Sequence, residues 1–100
     1  MKVDIQSIHF KADQKLTEYI ERKLEKLHTF YDGILDATVF LKLENNNKRD
    51  NKQVEIKLRV QNQSIFKTQT EQSFEAATDI AIEALKVQIK KYKDKLQSVS

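Results

Sequence analysis

Few residues in this chain stand in patterns that perform covalent chemistry. His9 and His28 are its two histidines, and no HExxH pair, Cys/His cluster or glycine-rich phosphate loop accompanies them. Cysteine is absent, which removes a thiolate nucleophile, a disulfide framework and a cysteine metal site. Ser7, Ser64 and Ser73 have no recognisable base partner. Glu18, Glu21 and Glu25 fall at helical spacing, but beside Arg22 and Lys26 they read as solvated carboxylates rather than a metal face. The expectation is a protein that is not an enzyme, with no catalytic residues, no metal, no cofactor and no small-molecule substrate.

What remains is the non-covalent chemistry of cations arranged to meet phosphate. Lys and Arg number 18 against 15 Asp and Glu, a net charge of +3. That excess is mild, so the distribution of charge has to carry the case. At about 100° per helical residue, Lys15, Arg22 and Lys26 fall within a stripe about 40° wide, with Tyr19 and Lys23 on its core-side edge. The three glutamates fall on a separate stripe. In the last helical segment Lys91 and Lys95 lie on one flank of the apolar stripe, and Lys86, Lys90 and Lys93 on the other. Lysines there also suit the negative end of the helix dipole. Two such helices side by side would adjoin their basic flanks and release counterions from phosphates, fixing shape rather than reading bases. The candidate RNA contacts are Arg22, Lys23, Lys26, Lys86, Lys90, Lys91 and Lys95, with Lys23 and Lys26 expected to share one surface with Lys91 and Lys95. On charge alone, a solvated helix flank is the more ordinary reading of the same residues.

The elements that must position these cations follow from apolar periodicity. Val3 and Ile5 alternate with polar residues as a first strand. Asp13 is placed to cap a helix whose stripe is Leu16, Ile20, Leu24, Leu27 and Tyr31. Gly33 suits its exit through a positive φ. Ala37, Val39, Leu41 and Leu43 keep a period of two, as do Val54, Ile56, Leu58 and Val60, and the polar run Glu44 to Asn51 makes an exposed hairpin loop between them. Asn62 marks a turn before a fourth strand, Ser64 to Thr70. Ser73 caps a second helix with the stripe Phe74, Ala77, Ala81, Leu85, Ile89, Tyr92 and Leu96. Phe40 lies opposite its strand's apolar run, where it meets either Phe66 or a partner.

The order β-α-β-β-β-α predicts an α+β two-layer sandwich. Its four-stranded sheet has the first two strands parallel and both helices on one face. The 100 residues and the lack of any Pro/Ser-rich linker predict a single domain, 1–100. No signal-peptide core and no run near the roughly 20 apolar residues of a membrane span is present, so no membrane partner is expected. A cytoplasmic protein fits this composition.

These residues together resemble the short ribosome hibernation promoting factors, a family that includes the ribosome-associated translation inhibitors. KLEKLHTFYDGI (Lys23 to Ile34) is similar to that family's end of the first helix, with its basic-Leu-x-Lys-Leu pattern and following Tyr/Phe-Asp-x-Ile. ATVFLKLE (Ala37 to Glu44) resembles its second strand, and FEAATDIAIEALKVQIKKYKDKL (Phe74 to Leu96) its second helix. The resemblance implies a fold similar to a double-stranded-RNA-binding domain. It also implies a stress or stationary-phase factor that occupies the mRNA/tRNA channel of the small ribosomal subunit, touches its rRNA and blocks translation. Lys23, Lys26, Lys91 and Lys95 match basic positions of the family. Thr29, Ala84 and Val87 stand where it often has a basic residue. The C-terminal dimerisation domain of longer members is not expected, and a monomer is. The alternatives are a general structured-RNA-binding domain and a protein-interaction regulatory module.

Overall fold

The computed structural model describes residues 1–44 and 51–98. Six elements follow in the order β1 (Lys2–Ile8), α1 (Gln14–Phe30), β2 (Asp36–Leu43), β3 (Lys52–Val60), β4 (Gln63–Glu71) and α2 (Phe74–Ser98). The sheet order is β1-β2-β3-β4. β1 and β2 pair in parallel, because α1 carries the chain back across the sheet between them. The β2–β3 and β3–β4 pairs are antiparallel. The expected α+β order and parallel first pair are therefore present. The interior of the long polar loop lies outside the described residues, while its stem is closed by the Glu44 amide donating to the Asn51 carbonyl at 2.8 Å.

The core forms where the period of two meets the period of 3.6. Ala37, Val39 and Leu41 of β2 and Val54, Ile56, Leu58 and Val60 of β3 turn one way, and Leu16, Ile20, Leu24 and Leu27 of α1 close over them with Ala77, Ala81, Leu85 and Ile89 of α2. Burial of this apolar face is the main force holding the helices to the sheet. Thr78 is buried among them, and its hydroxyl donates to the Phe74 carbonyl at 2.7 Å, so its polarity is satisfied. Leu96 departs from the expected stripe. It is 47% exposed, one turn beyond Tyr92, whose hydroxyl already reaches the Gln61 carbonyl in the β3–β4 turn.

Both helix starts are capped as their sequences require. The Leu16 amide donates to Asp13 Oδ1 at 2.8 Å, and the Ala76 amide to Ser73 Oγ at 3.0 Å. The exit of α1 differs from expectation. Tyr31 caps it with φ −147, and no glycine has positive φ. Gly33 serves close approach instead, since a Cβ there would collide with the Tyr31 ring. Asn62 takes the expected left-handed turn at φ 77, and His9 takes a second one at φ 65 between β1 and α1.

The open face of the sheet carries Phe40 and Phe66, but β3 separates them. Phe40 is opposite Glu55, and Phe66 is opposite Lys57. On the same face Asp36 and Arg59, register partners across β2 and β3, form an ion pair at 2.7 Å.

Candidate nucleic-acid interface

α1 and α2 lie side by side and run in the same direction. Near their starts, Tyr19 and Lys23 of α1 meet Asp79 of α2. Near their ends, Phe30 and Tyr31 meet Lys93. The seam between the helices receives Lys23 and Lys26 of α1 and the Lys86 flank of α2.

Tyr19 Oη donates to Asp79 Oδ1 at 2.6 Å, and Lys23 Nζ stands 3.3 Å from the same oxygen. The bond to Asp79 holds the Tyr19 hydroxyl above its ordinary pKa, chiefly because it stabilises the protonated phenol. The same carboxylate raises Lys23. Lys23 also lies over the Tyr19 ring at 5.5 Å and Arg22 at 5.9 Å, so one aromatic face gathers two cations.

Further along, Lys23, Lys26 and Lys86 line one hollow of about 340 Å³ with Asp79, Ile82 and Glu83. A second hollow, about 210 Å³, is lined by Tyr19, Arg22, Lys23 and Lys26 and shares its two lysines with the first. Lys90 is exposed about one turn beyond Lys86 on the same flank. At the far end Lys93 Nζ sits 5.2 Å from the Phe30 ring centroid and 5.7 Å from that of Tyr31.

Lys91 and Lys95 are not part of this seam. They line a separate hollow with Gln63, Gln88 and Tyr92. The reason is the position of α2 over β3 and β4. Tyr92 Oη donates to the Gln61 carbonyl at 2.6 Å and Gln88 Nε2 to the Phe66 carbonyl at 3.3 Å, which turns the flank of Lys91 and Lys95 toward β4. The flank of Asp79, Ile82 and Lys86 faces α1. The expected union of Lys23 and Lys26 with Lys91 and Lys95 is thus replaced by one with Lys86.

Two acids enter the seam. Besides the Asp79 pair, Lys86 Nζ is 3.4 Å from Glu83 Oε1. Both pairs are partly exposed, where solvent screening leaves such contacts weak. A phosphate offering charge-assisted hydrogen bonds can compete at that level. Lys26 has no carboxylate within ion-pair distance among the described residues. Another hollow, about 510 Å³ on the outer side of α1, sets Glu18, Glu21, Glu25 and Glu75 against Lys15 and Arg22. Its four carboxylates make it a poor phosphate site.

Asp79 was not expected in the site, and Lys93, although placed on the flank of Lys86, was not among the candidate contacts. Asp79 lies on that same α2 flank, and carrying the helical projection back toward the start of α2 would have found it. Among the described residues no group of three or more His, Cys, Asp or Glu side chains could hold a metal ion, and no helix is long and apolar enough to cross a membrane.

Comparison with known proteins agrees with this architecture. A ribosome hibernation promoting factor of Pseudomonas putida is 28% identical over 99 residues, covering 99% of this chain and 93% of the relative. A ribosomal subunit interface protein from Coxiella burnetii superposes with a TM-score of 0.82 at 20% identity, over 94% of this chain and 99% of the other. The N-terminal domain of Protein Y from Thermus thermophilus gives a TM-score of 0.78 at 24% identity, over 92% and 99%. These two likenesses establish the shared fold. The family model described as Sigma 54 modulation protein / S30EA ribosomal protein matches residues 3–97, and the chain belongs to that family.

Proposed function

We propose that this protein is a ribosome hibernation factor that binds the small ribosomal subunit in its mRNA/tRNA channel and inhibits translation by occupying it. The observation that carries the reading is the convergence of Lys23 and Lys26 from α1 with Lys86 from α2 in one seam. Arg22 extends that cationic surface on one side and Lys90 on the other. Family membership and the name of the Pseudomonas putida relative support the ribosome as the partner.

The mechanism needs no chemical step. Lysine and arginine side chains displace counterions from rRNA phosphates and hydrogen-bond to them. The rigid pair of helices then fills space that mRNA and tRNA require. Lys91 and Lys95 lie on a second, smaller surface on the β4 side.

The test is co-sedimentation of purified protein with small subunits across a salt series, together with translation of a reporter in a reconstituted system. Binding is expected to fall steeply as salt rises, and inhibition to follow occupancy. Salt-independent binding, or full occupancy without inhibition, would overturn the reading.

A further inference from the structure

We infer that the free edge of β1, together with the acidic flank of α1 above it, is a docking surface for an extended, lysine- or arginine-rich peptide strand. The two edges of the sheet are treated differently. At β4, Gln88 reaches down from α2 and satisfies the Phe66 carbonyl. At β1, pairing exists on the β2 side alone, and among the described residues no side chain hydrogen-bonds across the outer edge. Along this seven-residue strand, the backbone donors and acceptors that face away from β2 are a template for another strand.

The core is also open here. Val3 and Ile5 point to the helix side, yet both are only partly buried, while their register partners Ala37 and Val39 are sealed. Between β1 and α1 lies a hollow of about 300 Å³ lined by Met1, Val3, Glu21, Glu25 and His28. Met1 and Val3 supply its apolar part, and Glu21, Glu25 and His28 its polar rim, with two carboxylates against one imidazole. A lysine or arginine fits that division, with its aliphatic stem on Met1 and Val3 and its cationic head between Glu21 and Glu25.

Charge selects this occupant over others. Glu21 and Glu25 are one helical turn apart, a mildly destabilising like-charge pair, and among the described residues neither has a cation within ion-pair distance. An RNA backbone would be repelled. A second copy of this chain pairing edge to edge would bring its own Glu18, Glu21 and Glu25 against these, so the same charge disfavours a β1–β1 dimer. A basic strand removes the repulsion and completes the sheet together.

The probe is a labelled ten-residue peptide alternating lysine with valine, titrated into the intact protein by fluorescence anisotropy, with amide hydrogen exchange followed at residues 2–8. We expect saturable binding that slows exchange along β1. The double variant E21Q/E25Q, which changes exposed groups only, should weaken binding about tenfold. The triple variant K23E/K26E/K86E should leave peptide binding intact, which separates this surface from the proposed RNA seam. The inference is overturned if a glutamate–valine peptide or an alternately N-methylated lysine–valine peptide binds equally well. It is also overturned if β1 exchange is unchanged, or if the chain instead dimerises through this edge.

Discussion

The Tyr19 hydroxyl donates to Asp79 Oδ1 at 2.6 Å, joining two helices 60 residues apart in sequence and holding them parallel over one sheet. Removing that hydroxyl tests what the joint contributes. A partly exposed hydrogen bond of this kind is worth about 0.5–1.5 kcal/mol. Tyr19→Phe should lower the unfolding free energy by that amount in urea titration, with an unchanged dependence on denaturant.

The same cluster sets an alkaline limit. Tyr19 and Lys23 both have folded pKa values raised by Asp79. A raised folded pKa gives stability that is complete below the unfolded value and is lost as pH climbs through the folded one. Both unfolded values lie near pH 10. Stability attributable to the cluster should therefore be flat through neutral pH and fall above about pH 10. Tyr19→Phe should show a smaller alkaline loss than the parent when melting temperatures are compared from pH 8 to 11.

The elements were legible because each local signal agreed with the global fold. Asp13 and Ser73 cap where a helix start needs an acceptor, and the alternation from Ala37 to Leu41 fixes which face of β2 is buried. The seam was less legible, because helical rotation identifies two flanks of α2 but not which one meets α1. That depends on α2 lying over β3 and β4, a tertiary fact expressed in the bonds from Tyr92 and Gln88. Gly33 misled for a related reason: glycine signals either a positive φ or a close contact, and only the position of the Tyr31 ring decides between them.

Charge reversals should separate the two cationic surfaces. The triple variant K23E/K26E/K86E is expected to lose most small-subunit binding with its circular dichroism unchanged, while its melting temperature falls modestly because K23E sets a second carboxylate beside Asp79. K91E/K95E should weaken binding less. For each phosphate contact removed, the slope of log K against log salt should fall by about 1. Equal losses from both variants would argue against the α1–α2 seam as the principal grip.

In the proposed interface Asp79 would compete with phosphate for Lys23. Asp79→Asn keeps the size of the side chain and removes its charge, so RNA affinity should rise at low salt while the protein becomes slightly less stable. Parallel binding and unfolding measurements would detect the trade. A variant that is less stable but binds no better would mean that Lys23 does not engage phosphate.

His9 holds φ 65 in the turn between β1 and α1. That region costs an L-residue roughly 1–2 kcal/mol, whereas glycine enters it freely at an entropic cost of about 0.5–1 kcal/mol. His9→Gly should be neutral or stabilise by up to about 1 kcal/mol, and His9→Val should destabilise because branching at Cβ sharpens the clash. Chemical denaturation of the pair gives the sign of each change.

Gly33→Ala should destabilise through Tyr31 and not through backbone conformation. The added methyl would occupy the space of the Tyr31 ring. That ring is constrained on other sides: it meets Tyr92 edge-on at 6.1 Å and lies beneath Lys93. Burial already raises its hydroxyl pKa. With little room to move, the overlap should cost about 1–3 kcal/mol. If the cost is steric, it should vanish once the ring is gone. In a double-mutant cycle, Gly33→Ala in a Tyr31→Ala background should then be close to neutral, giving a coupling energy about equal to the single-mutant loss. A Gly33→Ala penalty that persists without the Tyr31 ring would place the requirement for glycine in the backbone after all.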